Sequence, residues 1–332
     1  MANTHTSLSS LFTDIADAIR EKTGDTETIV ADDFPDVIRE RLQVAHPKPY
    51  LTFRSPNSFT LAVGDATKHW DGTLEYSTDT FTWSTWDGTT TLSSATTGSK
   101  NALYLRGTGN TVITGNEHDS TYKWVLTGTD ISCIGNIENL LDYGTVETGA
   151  HPTMAAYCYR SMFGGCTALT QAPALPATTL ANFCYVDMFG DCTALTQAPA
   201  LPATTLAKEC YRHMFSGCTA LTQAPALPAT TLANECYRSM FYGCTALTKA
   251  PALPATTLAY SCYSGMFYGC TKIKLSSTQT GEYTTAYRIP ITGTGTTATM
   301  ALDRMFTSTG GTFTGTPEIN TTYYLSNTNE IV

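Results

Sequence analysis

The sequence contains few charged residues and no cluster of basic ones. Asp, Glu, Lys and Arg make up only 14% of its 332 residues, and the formal net charge is −9. A surface that holds a phosphate backbone or an anionic lipid needs a basic patch, which the 19 scattered Lys and Arg residues do not form. We therefore expect neither nucleic acid nor a membrane surface as a partner.

Long apolar runs are also missing. No stretch approaches the roughly 18 apolar residues that a membrane-spanning helix needs. The N-terminus, from Met1 to Thr6, has no basic start followed by an apolar segment, so no signal peptide is predicted. We expect no membrane insertion. A protein of this kind that acts outside a cell would leave it by another route, for example inside a phage particle released by lysis.

The residue patterns of catalytic and metal sites are absent as well. The 11 cysteines include no Cys-x-x-Cys pair, and no histidine lies at zinc-ligand spacing from a cysteine pair. Neither a nucleophile elbow nor a glycine-rich phosphate loop follows a strand. We predict no enzyme activity, no metal and no cofactor. The cysteines are predicted to be buried reduced thiols, with disulfides between neighbouring repeats as the alternative.

What the sequence does contain is an internal repeat of 26 residues. The segment that begins at Cys166 returns at Cys192 and Cys218, and again at Cys244 with Lys249 in place of glutamine. The array covers roughly residues 151 to 275, and such a period predicts units that pack on their neighbours. Two sets of cysteines mark the period: Cys158, Cys184, Cys210, Cys236 and Cys262, and Cys166, Cys192, Cys218, Cys244 and Cys270.

Each repeat is predicted to hold one short helix and one short strand. From Leu180 to Phe189 the apolar residues fall at i, i+1, i+4, i+5, i+8 and i+9, which we interpret as one face of a helix. The segment from Ala194 to Ala198 is followed by Pro199 and Pro202, which favour a short strand that ends there. Stacked copies would share one core, so residues 129–332 are expected to form a solenoid with a degenerate cap over residues 276–332.

The element Phe241-Tyr-Gly-Cys-Thr-Ala-Leu247 resembles the leucine-rich repeats of the BspA type. The resemblance implies a right-handed, curved solenoid, found in bacterial surface proteins and phage proteins that bind other macromolecules. This array has a longer unit than that family, enriched in proline and alanine. The expected fold class is an α/β leucine-rich-repeat solenoid of 26-residue repeats, preceded by a small β-sandwich and an N-terminal helical segment.

The N-terminal segment, residues 1–45, is predicted to be helical and to mediate attachment or oligomerisation. Its sequence from Leu11 to Gly24, followed by Asp33 to Ile38, resembles the N-terminus of tail-associated proteins in phages and prophages of Gram-positive bacteria. An apolar stripe on the first helix needs a partner, so we expect other tail proteins to bind there and the chain to form a homo-oligomer, with a trimer favoured. The stripe consists of Leu8, Leu11, Phe12, Ile15 and Ile19.

Residues 50–128 are predicted to form the small β-sandwich, because short alternating runs are separated by turn residues such as Asp71-Gly72 and Asp87-Gly88. All four tryptophans lie here. Trp83 and Trp86, three residues apart on a strand, must face opposite sides, so at most one of them belongs to the core. Trp70 and Trp86 share a Trp-Asp-Gly motif, and we leave open whether they pack inside or form a platform for sugar rings.

The candidate binding surface is the strand face of the repeats, because its uncharged side chains can hydrogen-bond sugar hydroxyls or a peptide. Differences between copies fall mainly at positions such as Val186-Asp187 and Arg212-His213, which we interpret as the drift of a solvated face. The candidate binding residues are Thr170, Gln171, Thr196, Gln197, Thr222, Gln223, Thr248 and Lys249, with Trp70 and Trp86 added from the sandwich.

These features predict a structural protein of a phage or prophage tail, of the tail-fibre or receptor-binding type. It would be located in the virion and act outside the cell, attaching to a glycan or protein of the bacterial surface through its solenoid and sandwich. Two alternatives stay open. One is a bacterial cell-surface adhesin, which would carry an export signal. The other is an enzyme that degrades surface polysaccharide, which would carry clustered carboxylates in a groove.

Overall fold

The structure is a computed structural model, and it describes residues 50–98, 100–115 and 122–332. The predicted helical segment over residues 1–45 lies outside the described residues. So do the five apolar side chains proposed for oligomerisation, Leu8, Leu11, Phe12, Ile15 and Ile19. Nothing in the fold therefore bears on the predicted self-association.

The first described region consists of short strands joined by turns. Its alternating sequences pack one side chain inward and the next outward, as in β2, where the burial of successive residues alternates. The strands are β1 (Leu51–Ser55), β2 (Thr60–Val63), β3 (Thr73–Ser77), β4 (Ser84–Thr85), β5 (Leu92–Ser93), β6 (Ala95–Thr97), β7 (Lys100–Thr108), β8 (Trp124–Thr127) and β9 (Ile131–Ile134).

Two sheets form in this region. One is a 7-stranded sheet in the order β10-β9-β1-β7-β3-β4, with β6 paired to β7, and its strand β10 (Leu169–Gln171) belongs to the first repeat. The other holds β5, β2 and β8. Phe53 of the larger sheet packs against Trp124 of the smaller one and against Phe163 of the repeats, with ring centroids 6.4 and 6.2 Å away. One sheet and one core thus continue across the predicted domain boundary at residue 128.

A single helix, α1 (Asn139–Glu147), is present in the described part of the chain. It packs on β7 and is interrupted at Asp142, whose backbone is extended. Over the described ranges, no helix has the length and apolar character needed to cross a membrane.

The predicted α/β leucine-rich-repeat solenoid is wrong. The structure is built mainly of short strands and turns, and the segments predicted to be helical, such as Leu180–Phe189, form consecutive turns instead. The predicted strand over residues 194–198 contains only an isolated parallel bridge from Gln197 to Gln223. Strands within the first four copies, up to residue 269, are limited to β10 and to β11 (Lys249–Ala250), a two-residue element.

Backbone geometry shows why no helix forms in the repeats. Phe183, Asp187 and Asp191 have φ values of 60°, 56° and 56°, so every fourth residue lies in the left-handed region and interrupts an α-helix. The apolar residues Leu180, Cys184, Met188 and Cys192 also recur every four residues. A helix of 3.6 residues per turn would rotate such a pattern progressively away from the core. The strict period of four therefore belongs to a series of turns.

Hydrogen bonds join each series of turns to the next copy. Met188 N–H donates to Tyr185 O within one turn (3.3 Å), whereas Tyr185 N–H donates to Cys210 O of the following repeat (3.0 Å). Amides alternate between these two kinds of partner along the series, so the buried backbone is satisfied without a helix. Stacking of the repeats is thus fixed by main-chain bonds.

Side chains at equivalent positions form columns through the stacked repeats. Five buried tyrosines have ring centroids 5.6–5.8 Å apart, and a phenylalanine column runs beside them and ends at Phe306. The thiol of Cys218 donates to Phe189 O (3.1 Å), as its equivalents do in other copies. The tyrosines are Tyr159, Tyr185, Tyr211, Tyr237 and Tyr263, and the phenylalanines are Phe163, Phe189, Phe215, Phe241 and Phe267.

The C-terminal region closes the array with a 4-stranded sheet in the order β13-β15-β12-β14. A last strand, β16, pairs in parallel with β11 of the fourth copy. The elements are β12 (Lys274–Ser276), β13 (Tyr283–Arg288), β14 (Gly310–Gly311), β15 (Thr322–Ser326) and β16 (Glu330–Ile331).

Candidate binding surface

The predicted Thr and Gln side chains lie side by side on the stacked repeats. Parallel bridges join Gln197 to Gln223 and Gln223 to Lys249, which places equivalent residues in one row. Gln171, Thr196, Gln197, Thr222 and Gln223 are exposed, whereas Thr170, Thr248 and Lys249 are half-buried. The array therefore presents this row mainly from its first three copies.

Two neighbouring cavities accompany the row. One, of about 460 Å³, is lined by Gln197 and Gln223 together with alanine, leucine and proline side chains. The other, of about 440 Å³, is lined by Gln171 and shares Ala200 and Pro202 with the first. We call these two cavities together the Gln–Pro groove. The prolines have no N–H to donate to a neighbouring chain, so this face does not extend into a regular sheet.

The groove combines apolar walls with uncharged amides. Each glutamine amide can both donate and accept hydrogen bonds, and no charged residue lines either cavity. Such a surface can bind sugar hydroxyls or the backbone of a peptide. Because equivalent amides recur at the repeat spacing, it also suits a ligand that is itself extended.

Three predicted residues have partners within the protein. The Thr170 hydroxyl donates to Ile131 O at 3.1 Å, and the Thr248 hydroxyl donates to Thr222 O at 3.3 Å. The Lys249 ammonium lies 2.8 Å from a carboxylate oxygen of Glu330, on the strand that covers the fourth copy. These side chains contribute less to an open binding surface than the sequence suggested.

The sugar-platform alternative is wrong for Trp70 and Trp86. They are only 4% and 1% exposed, and their ring centroids lie 5.1 Å apart in the core. The Asp87 carboxylate accepts hydrogen bonds from the N–H groups of Thr89 and Thr90, which fixes the turn after Trp86. The Trp86 indole N–H donates to Thr90 O (2.8 Å), so its polar atom is satisfied inside.

Trp83 is half-buried, which confirms that Trp83 and Trp86 differ in burial. Its ring is covered by a cation, because the guanidinium carbon of Arg106 lies 4.1 Å from the ring centroid. Arg106 also donates to Glu75 (2.8 Å). The ring face of Trp83 is therefore already covered by Arg106.

All eleven cysteines are buried as free thiols, which confirms their predicted burial. Burial raises the pKa of Cys210 and of Cys270 to about 12, so these thiols stay protonated and poorly nucleophilic. Within the described ranges, His, Cys, Asp and Glu side chains do not group in a way that could hold a metal ion.

A third cavity was not predicted from the sequence. We call it the Val186 cleft: it has a volume of about 370 Å³, and it lies where the copies differ most. The residues that differ there were interpreted as the drift of a solvated face, yet several of them are half-buried. The lining includes Tyr157, Arg160, Phe183, Val186, Asp187, Glu209, Arg212 and His213.

The titratable groups of the Val186 cleft are shifted by their surroundings. Burial raises the pKa of Asp187 to about 6, and the charge of Asp191 adds to this, while Arg160 opposes it. Burial also lowers the pKa of His213 to about 4, helped by the charges of Arg212 and Arg238. At neutral pH the imidazole is therefore uncharged and Asp187 is mostly ionised.

Ser161, Asp187 and His213 occupy equivalent positions in three successive copies, but they do not form a catalytic triad. In a triad the imidazole lies between the hydroxyl and the carboxylate. Here the aspartate lies in the middle copy and accepts a hydrogen bond from Ser161. Ser161 and His213 are two repeats apart, and adjacent tyrosine rings in the array are already more than 5.5 Å apart. Ser161 therefore has no imidazole beside it, and the three residues lack the order of a triad.

No family model matches the sequence, and neither curated proteins nor solved structures yield a match. The resemblances to BspA-type repeats and to phage tail proteins stay predictions that rest on the quoted motifs.

Proposed function

We propose that the protein is a non-catalytic component of a phage or prophage tail that attaches to the bacterial surface through the Gln–Pro groove. The observation that carries the proposal is the exposed row of Gln171, Gln197 and Gln223 beside apolar walls without charge. A glycan or an extended protein segment of the envelope has the hydrogen-bonding groups that such a row can bind. The resemblance of residues 11–38 to phage tail proteins supports the proposed location in a virion.

The proposal includes self-association through the N-terminal segment, with a trimer favoured. Light scattering of the full chain at micromolar concentration measures this state directly. A monomer under those conditions would contradict the proposed oligomer without bearing on the groove.

Binding of the labelled full chain to a panel of Gram-positive strains tests the groove. The sharpest variant combines Gln197→Lys with Gln223→Lys, because the array itself carries Lys249 at the equivalent position. Two added ammonium groups bring charge into an otherwise uncharged groove, so we expect binding to fall at least tenfold. Thr219→Lys is the matched control, since Thr219 is exposed and lies outside the groove.

Three outcomes decide the proposal. Selective binding that the groove variant loses and the control keeps would support it. Binding that both variants keep would move the binding surface elsewhere on the protein. If the wild-type chain binds no strain, the attachment role fails.

A surface-polysaccharide-degrading enzyme is the second candidate, and one observation favours it. Asp187 is a carboxyl group with a pKa of about 6 in a cleft that also contains Glu209, and glycosidases use an acid of raised pKa with a second carboxylate. Reducing ends released from host envelope by the wild type and not by Asp187→Asn would establish this candidate. An equal absence of release from both proteins would favour the binding role.

A further inference from the structure

The residues around the Val186 cleft depart from an otherwise uniform repeat. At the position of Val186 three other copies carry an arginine: Arg160, Arg212 and Arg238. Valine is much shorter, so this copy leaves a gap between Arg160 and Arg212, and the gap is the cavity of about 370 Å³. Val186 itself is only 8% exposed and forms an apolar floor. The cleft thus arises from a substitution within one copy.

Polar groups with unused hydrogen-bonding capacity surround that floor. His213 is half-buried, and across the described residues its ring makes no hydrogen bond. Nε of Arg212 is buried without a hydrogen-bond partner, although another nitrogen of the same guanidinium donates to Glu209. Asp187 offers carboxylate oxygens from the same copy as Val186. Donors and acceptors therefore face one small space.

The balance of charge indicates what kind of ligand the space accepts. The lining contains two guanidinium groups, of Arg160 and Arg212, and two carboxylates, of Asp187 and Glu209. Glu209 already pairs with Arg212 at 2.7 Å. A phosphate or sulfate would gain little from these cations and would be repelled by both carboxylates. A ligand without net charge that both donates and accepts hydrogen bonds fits better.

We propose that the Val186 cleft binds a neutral sugar unit, with Asp187, Arg212 and His213 hydrogen-bonded to its hydroxyl groups and Val186 against its apolar face. Sugar hydroxyls donate to the carboxylate and accept from the guanidinium, and the neutral imidazole can do either. The uncharged His213 is consistent with this, because its pKa of about 4 leaves one nitrogen free to accept. None of the residues in the cleft lines the Gln–Pro groove, so the site is separate from the proposed attachment surface.

The array provides its own test variants. Val186→Arg restores the arginine that three other copies carry, so it fills the cleft with a side chain that the stacked turns already accommodate. Asp187→Ser and His213→Ser introduce the residue found at the equivalent positions 161 and 239. Asn234→Lys is the control, because it adds a positive charge at an exposed position where the preceding copy has Lys208.

The experiment measures binding of the full chain to an array of neutral oligosaccharides, with sulfated and phosphorylated glycans included for comparison. We expect a neutral oligosaccharide to bind the wild type and the control equally, and Val186→Arg to show no detectable binding. Each serine variant should bind about tenfold more weakly, because it loses one or two hydrogen bonds.

Any of three results would overturn the proposal: binding of anionic glycans only, neutral binding that all three cleft variants retain, or no binding up to about 10 mM. Thermal melting of each variant identifies a variant that has lost its fold. The groove variant Gln197→Lys with Gln223→Lys should leave this binding unchanged. The cleft can therefore fail while the attachment role survives, and the reverse also holds.

Discussion

The Gln–Pro groove and the Val186 cleft are built on the same repeats but use the repeated sequence in opposite ways. The groove is formed mainly by residues that are identical in the first three copies, whereas the cleft is formed where a copy departs from the others. Identical residues generate an extended surface with one chemical group per repeat. A departure generates a single pocket with its own combination of charges. The comparison indicates that this array can support an extended contact and a local one together.

Both surfaces depend on the buried columns beneath them, so disrupting a column should produce the largest effect. Phe215 is fully buried and stacks between Phe189 and Phe241, with centroids 5.7 and 5.8 Å away. We expect Phe215→Ala to lower the free energy of unfolding by about 3–5 kcal/mol, from lost burial and the cavity left behind. Denaturation in urea measures this. A loss below about 1 kcal/mol would mean that the columns do not support the stack.

A change at Asp187 should alter the stability of the protein in a way that depends on pH. Its folded pKa of about 6 lies above the ordinary aspartate value of 3.8, so the folded state holds the proton more tightly and stability falls as pH rises from about 4 to 6. Asp187→Asn removes this penalty. We expect the variant to be on the order of 1–2 kcal/mol more stable than the wild type at pH 7, after discounting for partial exposure.

The same comparison at pH 4 provides the check on Asp187. There the wild-type carboxyl group is protonated in the folded protein, so the advantage of the variant should largely disappear. Thermal melting at both pH values measures it. An advantage that does not change with pH would show that the carboxyl group is not responsible.

Replacing Asp191 should make one copy more regular without touching the groove. Asp191 has a φ of 56°, and the equivalent positions in the other copies carry Gly165, Gly217, Gly243 and Gly269. Glycine adopts this conformation without strain, so we expect Asp191→Gly to stabilise the protein by about 0.5–1 kcal/mol. Melting temperature reports the change. A destabilised variant would mean that the aspartate side chain makes a contact worth more than the strain.

The smallest effect is expected at the end of the groove. Lys249→Gln gives the fourth copy the residue of the other three and removes an ion pair with Glu330, whose members are 38% and 67% exposed. Exposed pairs contribute little, so we expect a loss of about 0.5 kcal/mol or less in the free energy of unfolding. Raising the salt concentration should reduce even this difference. A loss above 2 kcal/mol would show that the pair anchors the C-terminal strand.

The sequence predicted some features of this fold because their signal was local or strictly periodic. The 26-residue period placed Gln197 beside Gln223, and alternating apolar residues indicated strands such as the one from Thr60 to Val63. The burial of the cysteines also followed from their position in the repeat. These features follow from which residues occupy equivalent positions in successive repeats or alternate positions in a strand, and the sequence shows both directly.

The conformation within each repeat was not predicted, because two local structures share a similar apolar pattern. Apolar residues at i, i+4 and i+8 approximate a helical face over ten residues, and only the strict period of four and the left-handed residues distinguish consecutive turns. Phe183 and Ser161 are not residue types that favour a positive φ, and an aspartate such as Asp187, although its type is enriched there, does not establish one by itself. The helices and the solenoid expected from them were therefore wrong.

The Val186 cleft escaped the sequence analysis for a different reason. Sequence variation between copies indicates either an exposed face that tolerates substitution or a specific site. The burial of the varying residues distinguishes the two. The useful signal was the short Val186 at a position where three other copies have arginine. Asp187 follows it in the same copy, and His213 is at the equivalent position of the next copy. That signal becomes interpretable only when the columns are known to stack.

Attachment to the bacterial surface through the Gln–Pro groove is tested most directly by one comparison on a single susceptible strain. The labelled full chain, the Gln197→Lys and Gln223→Lys double variant, and the cleft variant Val186→Arg are titrated onto the same cells. We predict that the double variant loses at least tenfold in affinity, whatever the cleft variant does. Wild-type affinity in the double variant would contradict attachment through the groove.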